Sequence, residues 1–204
     1  MNRRTCLKTG TMAVVAASFG VSTAGAKTGM IGKMPSADYK KMNTEAGAKV
    51  EAIKADGKSL SKGDAALLND IAVGGMMQLE VSRVAVKMAT SEDVRTIAQA
   101  EVEEQTILSA KLKEFAKAGG VDLPKEPDAT TKEMVAKLKA KSGAEFDKSY
   151  LEESGVEGHK QLKATMSRVR EKAEDAAIKS LATTALPLIE SHLQVSQDEM
   201  AELG

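Results

Sequence analysis

The chain has 204 residues, with 29 basic and 29 acidic side chains and a formal net charge of zero. This balance gives no reason to expect nucleic acid or an anionic membrane as a partner. Tryptophan is absent, and there are only two tyrosines and three phenylalanines. The core must therefore be built from leucine, valine, isoleucine, alanine and methionine. This composition, which is also rich in glutamate and lysine, is typical of packed helices.

Residues 1–26 are predicted to be an export signal. Arg3 and Arg4 precede a short apolar run, residues 11–21, and the small residues after it suit a signal peptidase. The run is too short to cross a bilayer, which takes about 20 apolar residues. The segment resembles a twin-arginine signal, with Cys6 at the position where phenylalanine is usual. That resemblance implies that the protein is exported already folded, to the periplasm or the cell envelope.

Cleavage near Ala26 would change the remaining chain in two ways. It removes Arg3, Arg4 and Lys8 and no acidic residue, so the formal net charge becomes −3. It also removes Cys6, the only cysteine, which excludes a disulfide, a thiol nucleophile and a cysteine metal site from the mature protein. We expect no transmembrane segment in the mature chain, and an envelope protein is the kind of partner that this location offers.

The segment after the signal carries little regular apolar spacing. Residues 27–60 contain glycine, lysine, serine and aspartate instead. This pattern predicts a flexible N-terminal tether, with a weak helix near residues 44–53. The folded part is therefore expected to be one domain, residues 61–204.

Four helix-length amphipathic segments are predicted in that domain. Ser91 is a good N-cap for the second, because acidic residues fill its first turn. Pro124 and Pro127 exclude a helix from the loop that follows it, and Pro187 inside the fourth predicts a kink. The segments span residues 64–89, 91–120, 130–172 with a break at 142–143, and 175–203. Short links favour antiparallel neighbours, so the sequence predicts an all-α, four-helix bundle with an extra short helix in the middle crossover.

Polar residues interrupt the apolar stripe of each predicted helix. The stripe of the second helix has a period of about 3.5 residues and runs through Val94, Ala98, Glu101, Gln105, Leu108, Leu112 and Phe115. The spacing also turns Glu80, His159 and His192 inward on the other three helices. With a rise of about 1.5 Å per residue, Glu80 and Glu101 lie at about the same height, and the two histidines lie about one turn apart. A single inward-facing polar cluster is therefore expected.

This cluster has two interpretations. Two imidazoles with one or two carboxylates suit zinc, iron or manganese, and facing helices hold such ligands well. The candidate metal ligands are Glu80, Glu101, Glu104, His159 and His192. Alternatively, the same groups form a buried hydrogen-bond network without a metal. A histidine between two carboxylates can form a hydrogen bond with each of them, so no buried polar group is left unpaired. The spacing lacks the paired Glu-x-x-His of di-iron bundles, which favours the network.

Two segments carry a resemblance to a known family. Gly143–Leu151, followed by His159, resembles a G-x-x-F-D-x-x-Y segment with a downstream histidine, and Ala185–Leu193 resembles an L-P-x-x-x-x-H-L segment. Glu80 matches a first-helix glutamate. Over residues 61–203 the chain thus resembles domain of unknown function 4142, a ferritin-like set of exported bacterial proteins often described as outer membrane proteins. The resemblance implies a ferritin-like four-helix fold and an envelope location, but no known activity.

One position departs from that family. It usually carries an Asp-His pair on the second helix, where this chain has Glu104 and Gln105. A site that uses that histidine would lack a donor here, although Glu101 on the same face could replace it. Since no Ser-His-Asp arrangement is suggested either, the sequence predicts a non-enzymatic binding or stress-related module. The alternative is a ferritin-like metalloprotein with peroxide- or oxygen-linked chemistry.

Overall fold

The computed structural model describes residues 29–204, and within this range the protein is almost entirely helical. A two-strand antiparallel hairpin comes first, and α-helices with one π-helical segment follow. Their bounds are Met30–Ile31 (β1), Met34–Pro35 (β2), Ser36–Ala52 (α1), Lys62–Met88 (α2), Glu92–Gly119 (α3), Ala129–Lys139 (α4), Gly143–Tyr150 (α5), Leu151–Gly158 (the π segment), His159–Lys172 (α6) and Ala176–Leu203 (α7). The prediction of an all-α fold is confirmed, while the predicted export signal lies outside the described residues.

The predicted helix boundaries agree closely with the structure. Ser91 caps α3, because its hydroxyl accepts a 3.3 Å hydrogen bond from the backbone N–H of Val94. Ser61 caps α2 in the same way. The loop of residues 121–128 separates α3 from α4, and α7 continues through Pro187.

Helices that follow one another after short links are also neighbours in space. α2 packs along α3 after a turn of three residues, and α6 packs along α7 after another turn of three. α2 also contacts α6, and α3 contacts α7. α2, α3, α6 and α7 thus pack against one another, and buried polar residues lie on each of them.

The third predicted helical region is interrupted close to the predicted break at residues 142–143, because α4 ends at Lys139 and α5 begins at Gly143. It consists of α4, α5, the π segment and α6, and glycines allow the π segment to approach its neighbours closely. A Cβ atom added at Gly155 would lie 2.8 Å from the side chain of Ser196 on α7. A Cβ atom at Gly158 would lie 2.7 Å from Oε1 of Gln78 on α2. These two glycines therefore allow the π segment to lie close to α7 and α2.

Two apolar cores lie at opposite ends of α3, and buried polar residues separate them. One core reaches along α3 as far as Ala100 and also contains Phe146 and Tyr150. The other begins at Leu108 and contains Leu68 and Leu181 among its members. Glu101 and Gln105, both buried, lie between these two stretches of α3. The polar layer predicted from the stripe of this helix is therefore present.

The prediction of a flexible tether for residues 27–60 was wrong over Ser36–Ala52, although the helix predicted near residues 44–53 is present as part of this longer helix. Ser36–Ala52 forms α1, which packs against α3 and α7, with Tyr39, Gly47 and Val50 buried. The buried face of α1 includes glycine and only a few apolar side chains, so its helical period is weak in the sequence. Packing onto the other helices stabilises this segment where its own apolar content would not.

Between residues 29 and 204, no helix combines the length and the apolar content that crossing a membrane requires.

Candidate functional site

Three helices bring one carboxylate and two imidazoles together in the centre of the protein. Oε1 of Glu101 on α3 accepts a 2.8 Å hydrogen bond from Nε2 of His159, at the start of α6. The same oxygen accepts a hydrogen bond from Nδ1 of His192 on α7. All three side chains are buried, and one potential ligand atom from each lies within 4.8 Å of the others. The residues thus form a compact cluster, which we call the Glu–His cluster.

The ring nitrogens that point away from Glu101 are also engaged. Nδ1 of His159 lies 3.0 Å from the backbone carbonyl oxygen of Ser154. Nε2 of His192 lies 2.7 Å from Oδ1 of Asn43 on α1. The amide of Asn43 is oriented, because its Nδ2 donates a 2.8 Å hydrogen bond to the backbone oxygen of Tyr39. Each histidine is therefore held from outside by a neutral oxygen acceptor.

The π segment supplies the acceptor for His159. Ser154 lies in this segment, and Gln78 of α2 forms hydrogen bonds with both its backbone carbonyl and its hydroxyl. Nε2 of Gln78 donates to the Ser154 carbonyl at 3.2 Å, and Oε1 of Gln78 accepts from the Ser154 hydroxyl at 2.8 Å. Gly158 leaves room for the Gln78 side chain at this point. π-helical turns frequently occur at functional sites, and here one orients a histidine.

Several buried oxygens at and near this cluster have no hydrogen-bond partner among residues 29–204. They include the second carboxylate oxygen, Oε2, of both Glu101 and Glu104, the Tyr39 hydroxyl and Oε1 of Gln105. Oε2 of Glu104 lies 3.2 Å from Nδ1 of His192, but without the geometry of a hydrogen bond. Unpaired buried oxygens cost free energy, about 1–3 kcal/mol each. Buried oxygens in proteins are normally paired with a protein group, an ordered water or an ion.

Burial and charge act against each other on the pKa values of the cluster. Burial alone would raise the pKa of Glu101, but the charges and hydrogen bonds of His159 and His192 hold it well below its usual range. Burial would lower the pKa of His159, yet the charge and hydrogen bond of Glu101 raise it to about 9. For Glu104, burial and then the neighbouring Glu101 charge raise the pKa to about 7. The cluster therefore holds protons that can be exchanged near neutral pH.

The structure brings together four of the five predicted site residues. Glu101, His159 and His192 share hydrogen bonds, and Glu104 lies beside His192. The prediction that Glu80 faces inward was wrong, because its side chain is 34% exposed and forms a 2.7 Å salt bridge with Arg83 on the surface of α2. The buried polar residue of α2 that contacts this cluster is Gln78, two positions earlier and therefore about 200° around the helix.

The residues that orient the two histidines were not among those predicted from the sequence. Asn43 lies in the segment interpreted as a tether, although Tyr39, Asn43, Gly47 and Val50 recur at the three- and four-residue spacing of a helix face. Gln78 and Ser154 gave no distinctive signal, because a single polar residue among apolar ones is compatible with either face of a helix. The position of the Ser154 carbonyl also depends on the π segment, which no sequence pattern indicated.

The arrangement has the donor set of a metal site. Imidazole and carboxylate both bind zinc, and the same donors also suit iron and manganese. Metal-ligating histidines nearly always donate their other ring N–H to a carbonyl or carboxylate oxygen, which fixes the ligating nitrogen. His159 and His192 both have this outer partner, and the carboxylate oxygens that lack partners are the remaining donors a metal would need. The residues present therefore fit a single transition-metal ion.

Comparison with known proteins identifies a family for this chain. No curated protein matches it, and neither does any solved structure. The family model described as a domain of unknown function, DUF4142, matches residues 49–198. This match includes α2 to α6 and nearly all of α7, and with them Glu101, Glu104, His159 and His192. Since it spans well over half of the sequence, the chain belongs to the DUF4142 family.

Proposed function

We propose that the protein is an exported, non-enzymatic binding protein of the periplasm or cell envelope, whose ligand is one divalent transition-metal ion. The ion is zinc, iron or manganese, bound in a ferritin-like four-helix bundle made of α2, α3, α6 and α7. Its ligands are Nε2 of His159, Nδ1 of His192 and the carboxylates of Glu101 and Glu104. A stress-related role in holding metal is part of this proposal.

One observation carries the metal proposal. The outer nitrogens of both histidines face neutral oxygens, and the inner nitrogens converge on a carboxylate whose second oxygen is free. A hydrogen-bond network alone would account for the inner contacts. It gives no role to the unpaired oxygens of Glu101 and Glu104, which cost free energy unless something binds them.

Charge balance is compatible with the exchange of protons for metal. In the described arrangement, two ring N–H groups, one from each histidine, point at Oε1 of Glu101. One divalent cation that replaces these two protons leaves the net charge of the buried cluster unchanged. This matters because an uncompensated charge in a buried site is costly. Binding should accordingly release about two protons, as expected for ligands that must be deprotonated.

The second candidate is a purely structural hydrogen-bond network. The observation in its favour is that every ring nitrogen of His159 and His192 already faces an acceptor. In that case metal would leave stability unchanged, and removal of one histidine would only leave its partners unpaired, at about 1–3 kcal/mol per group. The two candidates therefore differ in their response to metal.

Metal analysis of the purified protein tests the proposal. We expect about one equivalent of zinc, iron or manganese after purification or reconstitution, and a rise in unfolding temperature on metal addition, because binding to the folded state alone stabilises it. His159→Ala and His192→Ala should each lose the bound metal and the rise in unfolding temperature. Glu80→Ala is the matched control, since this family-matching glutamate lies on the surface beside Arg83. Absence of bound metal and of any temperature shift with all three ions would overturn the metal site.

A further inference from the structure

We propose that Asn43 is a positioning residue of this metal centre and that α1 is a structural part of the centre. The inference rests on the proposed function, because it concerns the same site. In this proposal, Asn43 determines that His192 binds the metal through Nδ1. Asn43 lies outside the family match, because the match begins at residue 49.

The geometry at Asn43 leaves His192 one orientation. Oδ1 of Asn43 lies 2.7 Å from Nε2 of His192, and a carbonyl oxygen can only accept, so Nε2 must carry the proton. The alternative amide orientation is excluded, because Nδ2 already donates to the backbone oxygen of Tyr39. With Nε2 protonated and engaged, Nδ1 is the nitrogen that faces Glu101 and Glu104.

Tyr39 supports the same orientation from one turn earlier on α1. Its ring centroid lies 5.3 Å from that of His192, and its side chain is fully buried. Asn43 and Tyr39 therefore hold the imidazole of His192 by an edge contact and a ring contact. His159 receives the equivalent support from Ser154 and Gln78, which lie inside the family match.

α1 is fixed at both ends, so its contact with His192 is not incidental. Before α1, the backbone N–H of Gly32 donates a 3.1 Å hydrogen bond to Glu199 of α7. At its C-terminal end, the ammonium of Lys111 on α3 donates to the backbone oxygens of Glu51 and Ile53 at 2.9 and 2.7 Å. Between these points, Gly47 allows close approach to Ile107 of α3. The helix thus spans α3 and α7 across the Glu–His cluster.

Asn43 also separates the cluster from a surface cavity. This cavity, of about 570 Å³, lies between α1, α2 and α3, and Tyr39, Asn43 and Ala100 are among the residues that line it. Its charged lining residues are Lys40, Glu92, Arg95 and Glu103, two of each sign, so the lining has no formal net charge. The position of Asn43 therefore suits both the orientation of His192 and its shielding from water.

Substitution of Asn43 with a matched control tests this assignment. Metal affinity is measured by competition with a chelator for the wild type, Asn43→Leu, Asn43→Asp and Thr44→Val. Leucine keeps the approximate size but removes the acceptor, and we expect affinity about 10–100-fold weaker, the usual effect of losing an outer partner. Aspartate keeps an acceptor oxygen and should retain affinity near that of the wild type. Thr44→Val changes the next, exposed residue of α1 and should have no effect.

A nitrogen-15 NMR spectrum of the imidazoles gives a second measurement that does not depend on metal. In the wild type, His192 should keep its proton on Nε2 with and without metal, whereas Asn43→Leu should lose this fixed assignment. Asn43→Ala replaces Asn43→Leu in both measurements if the leucine variant loses helix content by circular dichroism.

The outcomes separate the two proposals. If the wild type binds metal and Asn43→Leu has the same affinity and the same NMR spectrum, Asn43 has no positioning role and the metal site stands. Equal weakening in Asn43→Leu, Asn43→Asp and Thr44→Val would mean that α1 acts only through folding, which also overturns the assignment. A wild type that binds none of the three metals overturns the proposed function and this inference with it.

Discussion

The carboxylate of Asp147 accepts a 2.8 Å hydrogen bond from the backbone N–H of Ser91, in the turn before α3. It also accepts a 2.9 Å hydrogen bond from the backbone N–H of Thr90 and another from the Thr90 hydroxyl. Three residues further on, the hydroxyl of Tyr150 lies 3.0 Å from that of Ser82 on α2. The F-D-x-x-Y segment, which lies in α5, therefore connects this helix to α2 and to the turn that leads into α3. Its role in this chain is to hold the helices around the Glu–His cluster.

Asp147→Ala should destabilise the protein by at least about 1.5–3 kcal/mol, the range for one hydrogen bond to a charged group. The buried carboxylate accepts several such bonds, and its loss leaves the N–H groups of Thr90 and Ser91 without their partner. Urea unfolding monitored by circular dichroism measures the change. Glu145→Ala on the same helix is the control, because Glu145 is exposed. A loss no larger than that of Glu145→Ala would contradict the connecting role.

The interior of the long helices could largely be predicted from the sequence. The apolar stripe of α3 predicted Glu101 and Gln105 as inward residues, and both are buried. The same reasoning placed His159 and His192 inward, and both are buried beside Glu101. This worked because α3, α6 and α7 each have one apolar face, so the period of the stripe fixes the rotation of the helix.

The rotation of α2 could not be predicted in this way. This helix carries apolar residues around most of its circumference, and Val73 and Met77 are only partly buried. The stripe through them therefore pointed to Glu80, whereas the buried face contains Gln78. α1 presents the opposite case, because too few apolar residues mark its buried face. The contact between Asn43 and His192 depends on tertiary packing that no local pattern contains.

Lys111→Met should weaken the attachment of α1 with little effect on the rest of the fold. Methionine keeps most of the buried stem of Lys111, but the backbone oxygens of Glu51 and Ile53 lose their donor. We expect destabilisation of about 1–3 kcal/mol per oxygen left unpaired. Amide hydrogen exchange across α1 should become faster than in the wild type, since the end of the helix can then open locally. Lys113→Met, at an exposed position of α3, should leave exchange in α1 unchanged.

Gly155→Ala should destabilise the contact between the π segment and α7. The added methyl group would lie 2.8 Å from Cβ of Ser196, so one of the two elements must move, at a cost of about 1–3 kcal/mol for overpacking. Ser196→Gly removes the atoms that the methyl group would meet. Thermal or urea unfolding of both single variants and the double variant forms a double-mutant cycle. A coupling energy near zero would mean that the clash at Gly155 does not decide the stability of this contact.

Export can be tested at the two arginines near the N-terminus. Replacement of Arg3 and Arg4 together by lysine should leave the precursor in the cytoplasm if the twin-arginine route is used, because lysine keeps the charge but not the arginine pair. Lys8→Arg keeps both arginines and serves as the control. Mass spectrometry of the exported form should give a chain that begins near Lys27. Normal periplasmic levels of the double-lysine variant would show that another route is used.

Stability of the metal-free protein should fall as pH rises from about 5 to about 9. The pKa of Glu104 is raised from 4.5 to about 7, so its proton stabilises the folded state below pH 4.5, and this contribution is lost as pH rises through 7. The pKa of His159 is raised from 6.5 to about 9, so its contribution is complete below pH 6.5 and is lost as pH rises through 9. Glu101 acts in the opposite sense: its pKa is lowered, so its contribution is present above pH 4.5 and is lost on acidification.

The combined contribution of these three groups to the stability of the metal-free protein is therefore greatest near pH 5. Urea unfolding at pH 5, 7 and 9 in the presence of a chelator measures the dependence. Glu104→Gln removes the group that titrates near pH 7, so the decrease between pH 5 and 7 should become smaller while the decrease between pH 7 and 9 remains. A wild-type stability that is constant or rises over this range would contradict the charge arrangement of the Glu–His cluster. Saturation with metal should reverse the trend, because metal competes with protons for the same nitrogens and oxygens and binds more tightly as pH rises.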